Sequence, residues 1–404
     1  MALYQGFNTI PDDWRIVKIR DLFNLYKGTT PSTKVPDYWN GDIPFVTPTD
    51  ITTLSRSDQV FLERTSKYLT EKGMESKRLK LVPKNSLLVT TRATIGECAI
   101  NKIEVTINQG IVALIPKEPN KVDVLFYYYL IQIMKPYLKS LAGGSTYKEI
   151  SLKRLGEVSI PLPPLDEQRK IARILYTVDE AIAKTETIIS RVEELRRALL
   201  DYLMTHGIGH REYKETEIGK IPKEWKVVKL HEVATIKHGK RPHIILERGG
   251  FPIFGAGGLA GYTDSYLVDD EFIIVVARVG AGSVGKVYLA KGKVWISDNA
   301  LYIQCRKDLI YPPYLYYSLI KINLRKMAYR AAGGHAVITR NLLESLKIPL
   351  PSLDEQIKIA EILEMIDKLL KAETIHKEIL IKLKNSLMNL LLVGKVRVKD
   401  SPID

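Results

Sequence analysis

Residues 160–175 read IPLPPLDEQRKIARIL and residues 348–363 read IPLPSLDEQIKIAEIL, agreeing at 13 of 16 positions at an offset of 188. Agreement this long signals an internal duplication, which has to be recognised before any element is assigned. Weaker echoes keep the same order. IPDDWRIVKI from Ile10 answers IPKEWKVVKL from Ile221, LFYYYLI from Leu125 answers YLYYSLI from Tyr314, and Gly143-Gly144 answers Gly333-Gly334. The chain is therefore a tandem pair of units of about 190 to 210 residues, most divergent between the shared landmarks. Each unit runs from a Pro-Trp opening segment through short β-rich runs, such as 87–91 and 272–277, into a Tyr-rich amphipathic helix and a Gly-Gly turn. A Pro-rich extended segment follows, and because Pro cannot sit inside a helix the next helix starts after it.

That helix is the clearest element. Asp166 or Asp354 is placed to act as N-cap, and no Pro or Gly follows until Gly207 or Gly394. About 40 residues at 1.5 Å each span roughly 60 Å. In the first helix positions 171, 175, 178, 182, 185, 189, 192, 196, 199 and 203 step by 4 and 3, and all but Thr185 and Arg196 are apolar. In the second, positions 362, 366, 369, 373, 376, 380, 383, 387 and 390 do the same, broken by Glu373 and His376. Such stripes form coiled-coil seams, and two of them in one chain are expected to pack on each other, antiparallel, as a spacer between the globular parts.

At 404 residues the chain has room for two or three domains. Sixty Lys and Arg against 46 Asp and Glu leave a net charge of +14, which favours a polyanion such as nucleic acid or an acidic membrane surface. Both halves share the excess, so neither is a basic tail. Cys98 and Cys305, far apart, signal neither a zinc cluster nor a disulfide framework and fit a reducing cytoplasm. No basic-then-apolar leader opens the chain and no apolar run approaches the roughly 20 residues that span a bilayer, so a cytoplasmic protein without membrane partners is expected.

Catalytic motifs are weak. Gly280, Gly285 and Lys286 give GxxxxGK, but Val287 stands where Ser or Thr would hold Mg²⁺, and the following VYLAKGKVW reads as strand. The glycines at 255, 257 and 258 precede no amphipathic helix, so a turn is the better reading. Pro36-Asp37 with Glu75-Ser76-Lys77 offers the residue types of a nuclease, a pattern that arises by chance in a chain this charged. His206 and His210 have ligand spacing but flank Gly207 and Gly209, which suits a linker. Tyr311-Pro312-Pro313-Tyr314 is similar to the substrate-amine clamp of DNA amino-methyltransferases but has Tyr where Asn or Asp would accept from the amine.

The duplicated IPLPPLDEQ and IPLPSLDEQ segments, the Gly28-Thr29-Thr30-Pro31 turn, the run WNGDIP from Trp39 and the two basic units together resemble the specificity subunit of type I restriction-modification enzymes, over essentially the whole chain. The second unit departs, with Gly239-Lys240-Arg241-Pro242 and Phe251-Pro252-Ile253 instead. The resemblance implies an α/β (α+β) fold of two tandem target recognition domains, each followed by a long helix, the helices pairing as an antiparallel coiled coil. On that basis residues 1–164 are the first recognition domain, 165–206 the first spacer helix, 207–352 the second recognition domain with its linker, 353–393 the second spacer helix and 394–404 a tail. It also implies a non-catalytic chain that reads a split, asymmetric site in double-stranded DNA. No cofactor is expected on it. S-adenosylmethionine, ATP and Mg²⁺ belong to partners, namely two modification subunits that methylate adenine and restriction subunits that translocate and cut. The rival readings are a helical scaffold without sequence-specific DNA binding and a self-contained DNA enzyme, for which clustered carboxylates or a cofactor loop would be expected.

Base discrimination needs side chains of fork or bidentate geometry, Arg to guanine and Asn or Gln to adenine. The DNA-binding candidates are Thr30, Lys34, Arg92, Asn108 and Gln109 in the first unit and Lys240, Arg241, Arg278 and Asn299 in the second. Each has a phosphate contact or a plain surface role as its alternative. Arg92 and Arg278 are expected to occupy matching places, each ending an apolar strand before a Gly-containing loop.

Overall fold

The computed structural model describes residues 7, 10–57, 59–143, 148–330 and 336–398. Gly144, Gly333 and Gly334 of the expected turns lie outside them. Two compact units emerge, Met1–Thr187 with Ile375–Asp404, and Ile188–Thr374, so each long helix is shared between the units.

In the first unit a five-stranded sheet runs in the order Phe23–Lys27, Ile111–Pro116, Leu87–Thr90, Cys98–Asn101, Phe61–Leu62, with a three-stranded sheet of Lys67–Leu69, Trp39–Val46 and Thr106–Ile107 beside it. In the second a six-stranded sheet runs Ala234–His238, Ala300–Cys305, Val268–Ala277, Val287–Ile296, Phe251–Gly255, Gly258–Thr263. The first four strands of each order correspond. The central hairpin is the main difference, with strands of four residues in the first unit and ten in the second.

The Pro-rich segments are edge strands, where a missing N–H is tolerated. Ser159–Leu162 pairs antiparallel with Arg15–Lys18, and Lys347–Leu350 with Lys226–Lys229. The Tyr-rich helices, Val124–Ser140 and Pro312–Ile322, bury their rings in the two main cores. Tyr127 donates to the Pro161 carbonyl at 3.2 Å and Tyr314 to that of Pro349 at 3.0 Å.

The long helices are Leu165–His206 and Leu353–Leu391. They start one residue before the expected caps. Asp166 and Asp354 sit inside the first turn, where a carboxylate suits the positive end of the helix, and the first helical N–H groups bond to Pro164 and Ser352 carbonyls. The repeated Asp-Glu-Gln run is explained residue by residue. Gln168 accepts from the Asp123 amide at 2.9 Å and donates to the carbonyls of Lys121 and Pro163. Gln356 does the same with the Tyr311 amide and the carbonyls of Leu309 and Pro351. Glu167 accepts from the Trp14 indole at 2.9 Å and Glu355 from that of Trp225 at 3.0 Å. A buried Gln and a largely enclosed Glu thus tie each helix start to the Tyr-rich helix and to the opening segment of its unit.

Within each unit the helix halves run antiparallel. In the first, Asp179 pairs with Lys384 at 2.5 Å and Glu186 with Lys377 at 2.5 Å, so one number climbs as the other falls. In the second, Arg196 pairs with Asp367 while Leu203 and Met204 join Ile359, Ala360 and Leu363 in the core. The first helix buries its expected stripe at Ile171, Leu175, Ile182, Thr185, Val192 and Leu203. The second does not. Ile362, Leu369, Leu383 and Leu390 are exposed, and the inward face instead carries Leu363, Asp367, Lys384 and Met388. Its charged members are admitted because each has a partner. Asp367 accepts from Tyr317 and Arg196, as Asp179 does from Tyr129 at 2.6 Å. A pattern that counts apolar residues alone misses a paired charge in the seam.

Candidate nucleic-acid interface

A glycine turn and an Asn- or Ser-led loop meet at one end of each main sheet. Gly28 follows the first strand, and a Cβ there would fall 1.9 Å from the Ile107 carbonyl oxygen; at Gly239 it would fall 2.0 Å from that of Ser297. Only glycine lets these backbones approach so closely. Gly28-Thr29-Thr30-Pro31 and Gly239-Lys240-Arg241-Pro242 are therefore the same turn in neutral and basic versions.

Behind each turn the loop repeats by hydrogen bond. Asn108 N–H bonds to the Val46 carbonyl and Ser297 N–H to that of Phe254; the Asn108 side chain accepts from Gly110 N–H at 2.8 Å, and the Ser297 hydroxyl from Asn299 N–H at 3.4 Å. Asn108 thus matches Ser297, and Gly110 matches Asn299. Thr91 N–H bonds to the Gly110 carbonyl and Arg278 N–H to that of Asn299, while Ile150 and Ile338 return bonds to the Thr91 and Arg278 carbonyls. Arg278 corresponds to Thr91. The expected equivalence of Arg92 and Arg278 fails by one residue, because the strand ends alike while the arginine comes one step later in the first unit.

The candidates fall into two groups. Asn108 and Thr30 are committed to the framework, since the Asn108 amide donates to the Thr30 hydroxyl at 2.9 Å. The Asn299 oxygen accepts from Ala256 N–H at 2.8 Å and from Ser297 at 2.7 Å, which leaves the amide only as a donor and unable to take adenine in bidentate fashion. Gln109, Lys34, Lys240 and Arg241 have exposed side chains with no hydrogen-bond or ion-pair partner among the described residues. Lys34 stands in the loop before Trp39, whose indole donates to the Ser32 carbonyl at 3.1 Å.

Arg92 is tethered. Its Nε donates to Glu149 at 2.8 Å, and Lys27 reaches the other carboxylate oxygen at 2.6 Å. Burial pushes the Glu149 carboxyl up, but hydrogen bonds from Lys27 and Arg92 outweigh it and hold the group below its ordinary value. The counterpart of Glu149, the residue before the matching isoleucine, is Val337. Arg278 has no such partner, and its Nε is enclosed with no acceptor among the described residues. Lys27 and Glu149 were missed as site members. Their only sequence signal is opposite charge 122 residues apart, which means nothing until the sheet brings them together.

The other motifs resolve into structure. Gly280 and Gly285 belong to the turn joining Val268–Ala277 and Val287–Ile296. His206 stacks on Tyr202, whereas His210 lies between Glu355 at 2.8 Å and Glu224 at 2.9 Å. Asp37 faces Lys72 at 3.8 Å. Tyr311 is the N-cap of the second Tyr-rich helix and Pro312 opens it. Among the described residues no group of three or more His, Cys, Asp or Glu is arranged to hold a metal ion, and no helix is long and apolar enough to cross a membrane.

A duplicated α/β framework, each copy bearing its own divergent loop cluster and its share of two paired helices, defines a tandem-repeat recognition protein. The Type I restriction modification DNA specificity domain matches residues 11–194 and again 222–385, and the chain belongs to that family. The MjaIX specificity subunit of a Methanocaldococcus jannaschii type I restriction enzyme is 35% identical over 57% of this chain and 54% of its own length. The MjaVIII specificity subunit of the same organism is 29% identical over 97% of this chain and 95% of its own. The fold is that of the type I restriction-modification S subunit from M. genitalium, with a TM-score of 0.63 and 19% identity over 95% of this chain and 97% of that one.

Proposed function

We propose that this chain is the DNA-reading subunit of a type I restriction-modification complex, recognising a split, asymmetric site with one half-site per unit. The observation that carries the reading is the pairing of identity with difference. Around the loops the two frameworks repeat the same backbone hydrogen bonds, while the loop clusters they hold differ in charge and in available donors. One scaffold presenting two chemistries suits two unlike half-sites, and the net charge of +14 suits the phosphate backbone. Exposed Lys34, Lys240 and Arg241 serve as phosphate contacts and Gln109 as an amide able to address adenine. Thr30, Asn108, Asn299 and Arg92 hold the loops in place.

The paired helices set the gap between half-sites and offer the docking surface for two modification subunits. Methylation of adenine, with S-adenosylmethionine, and ATP- and Mg²⁺-dependent translocation and cleavage lie on the modification and restriction subunits. The chain itself holds no cofactor and works in the cytoplasm, where its DNA is.

The test is selection from random duplexes at about 150 mM salt, where non-specific phosphate binding is weakened, using the full chain co-purified with its modification subunits. Two unlike half-sites at a fixed gap are expected. Inserting about one helical turn, roughly four residues, between Glu186 and Leu200 should change the gap and leave both half-sites alone. Recovery of no sequence would favour the helical scaffold.

A further inference from the structure

We propose that Arg278 reads a guanine in the half-site addressed by the second unit, and that the first unit has no equivalent reader. The inference rests on the DNA-reading function above and adds the base and the residue.

Arg278 ends the ten-residue strand Val268–Ala277, whose last five residues are buried, so its backbone is among the best-anchored positions of the sheet. Both backbone polar groups are used, N–H to Asn299 at 3.0 Å and C=O from Ile338 at 2.9 Å. The side chain is half-buried. Nε is enclosed without an acceptor, yet the terminal nitrogens are neither buried nor bonded among the described residues. An arginine held in this way presents a guanidinium end-on, with two parallel N–H groups, because the side-on pair that includes Nε is blocked. Two parallel donors match the O6 and N7 acceptors that guanine alone displays side by side in the major groove. A phosphate contact needs no such fixation and is met by exposed, flexible cations, which the neighbouring turn supplies in Lys240 and Arg241.

The surroundings keep the fork available. The carboxylate that neutralises Arg92 in the first unit, Glu149, is replaced by Val337 at the matching position, and no described carboxylate forms an ion pair with Arg278. Asp298 is exposed in the adjoining turn and likewise has no described ion pair. In the first unit the residue at the Arg278 position is Thr91, buried, with its hydroxyl on the Gly110 carbonyl at 3.3 Å. It cannot reach a base.

The experiment is duplex selection with the complex of full chain and modification subunits, comparing wild type, Arg278→Ala and Arg278→Lys. In wild type one position of the second half-site should be invariant guanine. Arg278→Ala should lower the preference for guanine there by roughly ten- to a hundredfold, with the first half-site and every other position unchanged. Arg278→Lys, which keeps charge and most of the bulk, should restore affinity more than selectivity. Equal loss on all sequences, with a salt dependence shallower by about one ion and rescue by Lys, would make Arg278 a phosphate contact and overturn the proposal. Failure of wild type to select any split site would instead overturn the DNA-reading function on which it rests.

Discussion

The two loop clusters sit on the same framework and carry different electrostatic designs. In the first unit the turn is neutral, Thr29-Thr30, and Arg92 and Lys27 share one carboxylate, so part of the local charge is spent within the protein. In the second the turn is Lys240-Arg241 and Arg278 is left unshared. Duplication therefore conserved what holds the loops and released what the loops present. The difference lies in a few side chains at the ends of strands whose backbone bonding is unchanged, which is the economical way for one fold to face two different surfaces.

The comparison breaks most easily at the shared framework. Gln356→Leu strands the Tyr311 amide and the carbonyls of Leu309 and Pro351, and Gln168→Leu strands the matching groups in the first unit. Each should cost about 3 kcal/mol or more, read from denaturant titration, and the two losses should be similar. A clear inequality would mean that the clamps are alike in geometry only. A smaller effect sharpens the contrast between the clusters. Glu149→Gln releases Arg92 and Lys27, so affinity should rise and base preference should shift in the first half-site alone, by about fivefold, or about 1 kcal/mol. Selection on this variant checks it, and a change in the second half-site would contradict the division of labour.

The smallest effect is the response to acid. Burial raises the Glu167 carboxyl, but Arg397 and the Trp14 indole, hydrogen-bonded to it, hold it below its ordinary value of 4.5. A carboxyl depressed in the folded state stabilises above its unfolded value and loses that contribution as pH falls through the folded one. The melting temperature should hold steady from about pH 7 to about pH 5 on this account and drop below about pH 4.5, with Glu167→Gln shallower there. An unaltered acid limb would show that Glu167 does not govern it.

Much of this was legible in the chain. The repeat at residues 160–175 and 348–363 located both long helices and both Pro-rich strands, because a proline-stopped strand followed by a long Pro- and Gly-free run has one physical outcome. The Tyr-rich helices are amphipathic in sequence, and their apolar faces enter the two main cores. The seam of the second helix was misread, since Asp367 and Lys384 count as breaks until their partners are seen. Arg92 and Arg278 were paired on strand-end position, and only the ladder of backbone bonds showed them one residue apart.

By itself the sequence determined the duplication, the helix lengths, the charge and the family, all of which are written in local pattern and repetition. Tertiary structure alone decided which polar groups are already spent. Asn108, Asn299 and Arg92 look as available as Gln109 and Arg278 in a string of letters. Their partners lie in other loops and turns up to 78 residues away, and a donor is free or committed only once the fold has placed its acceptor.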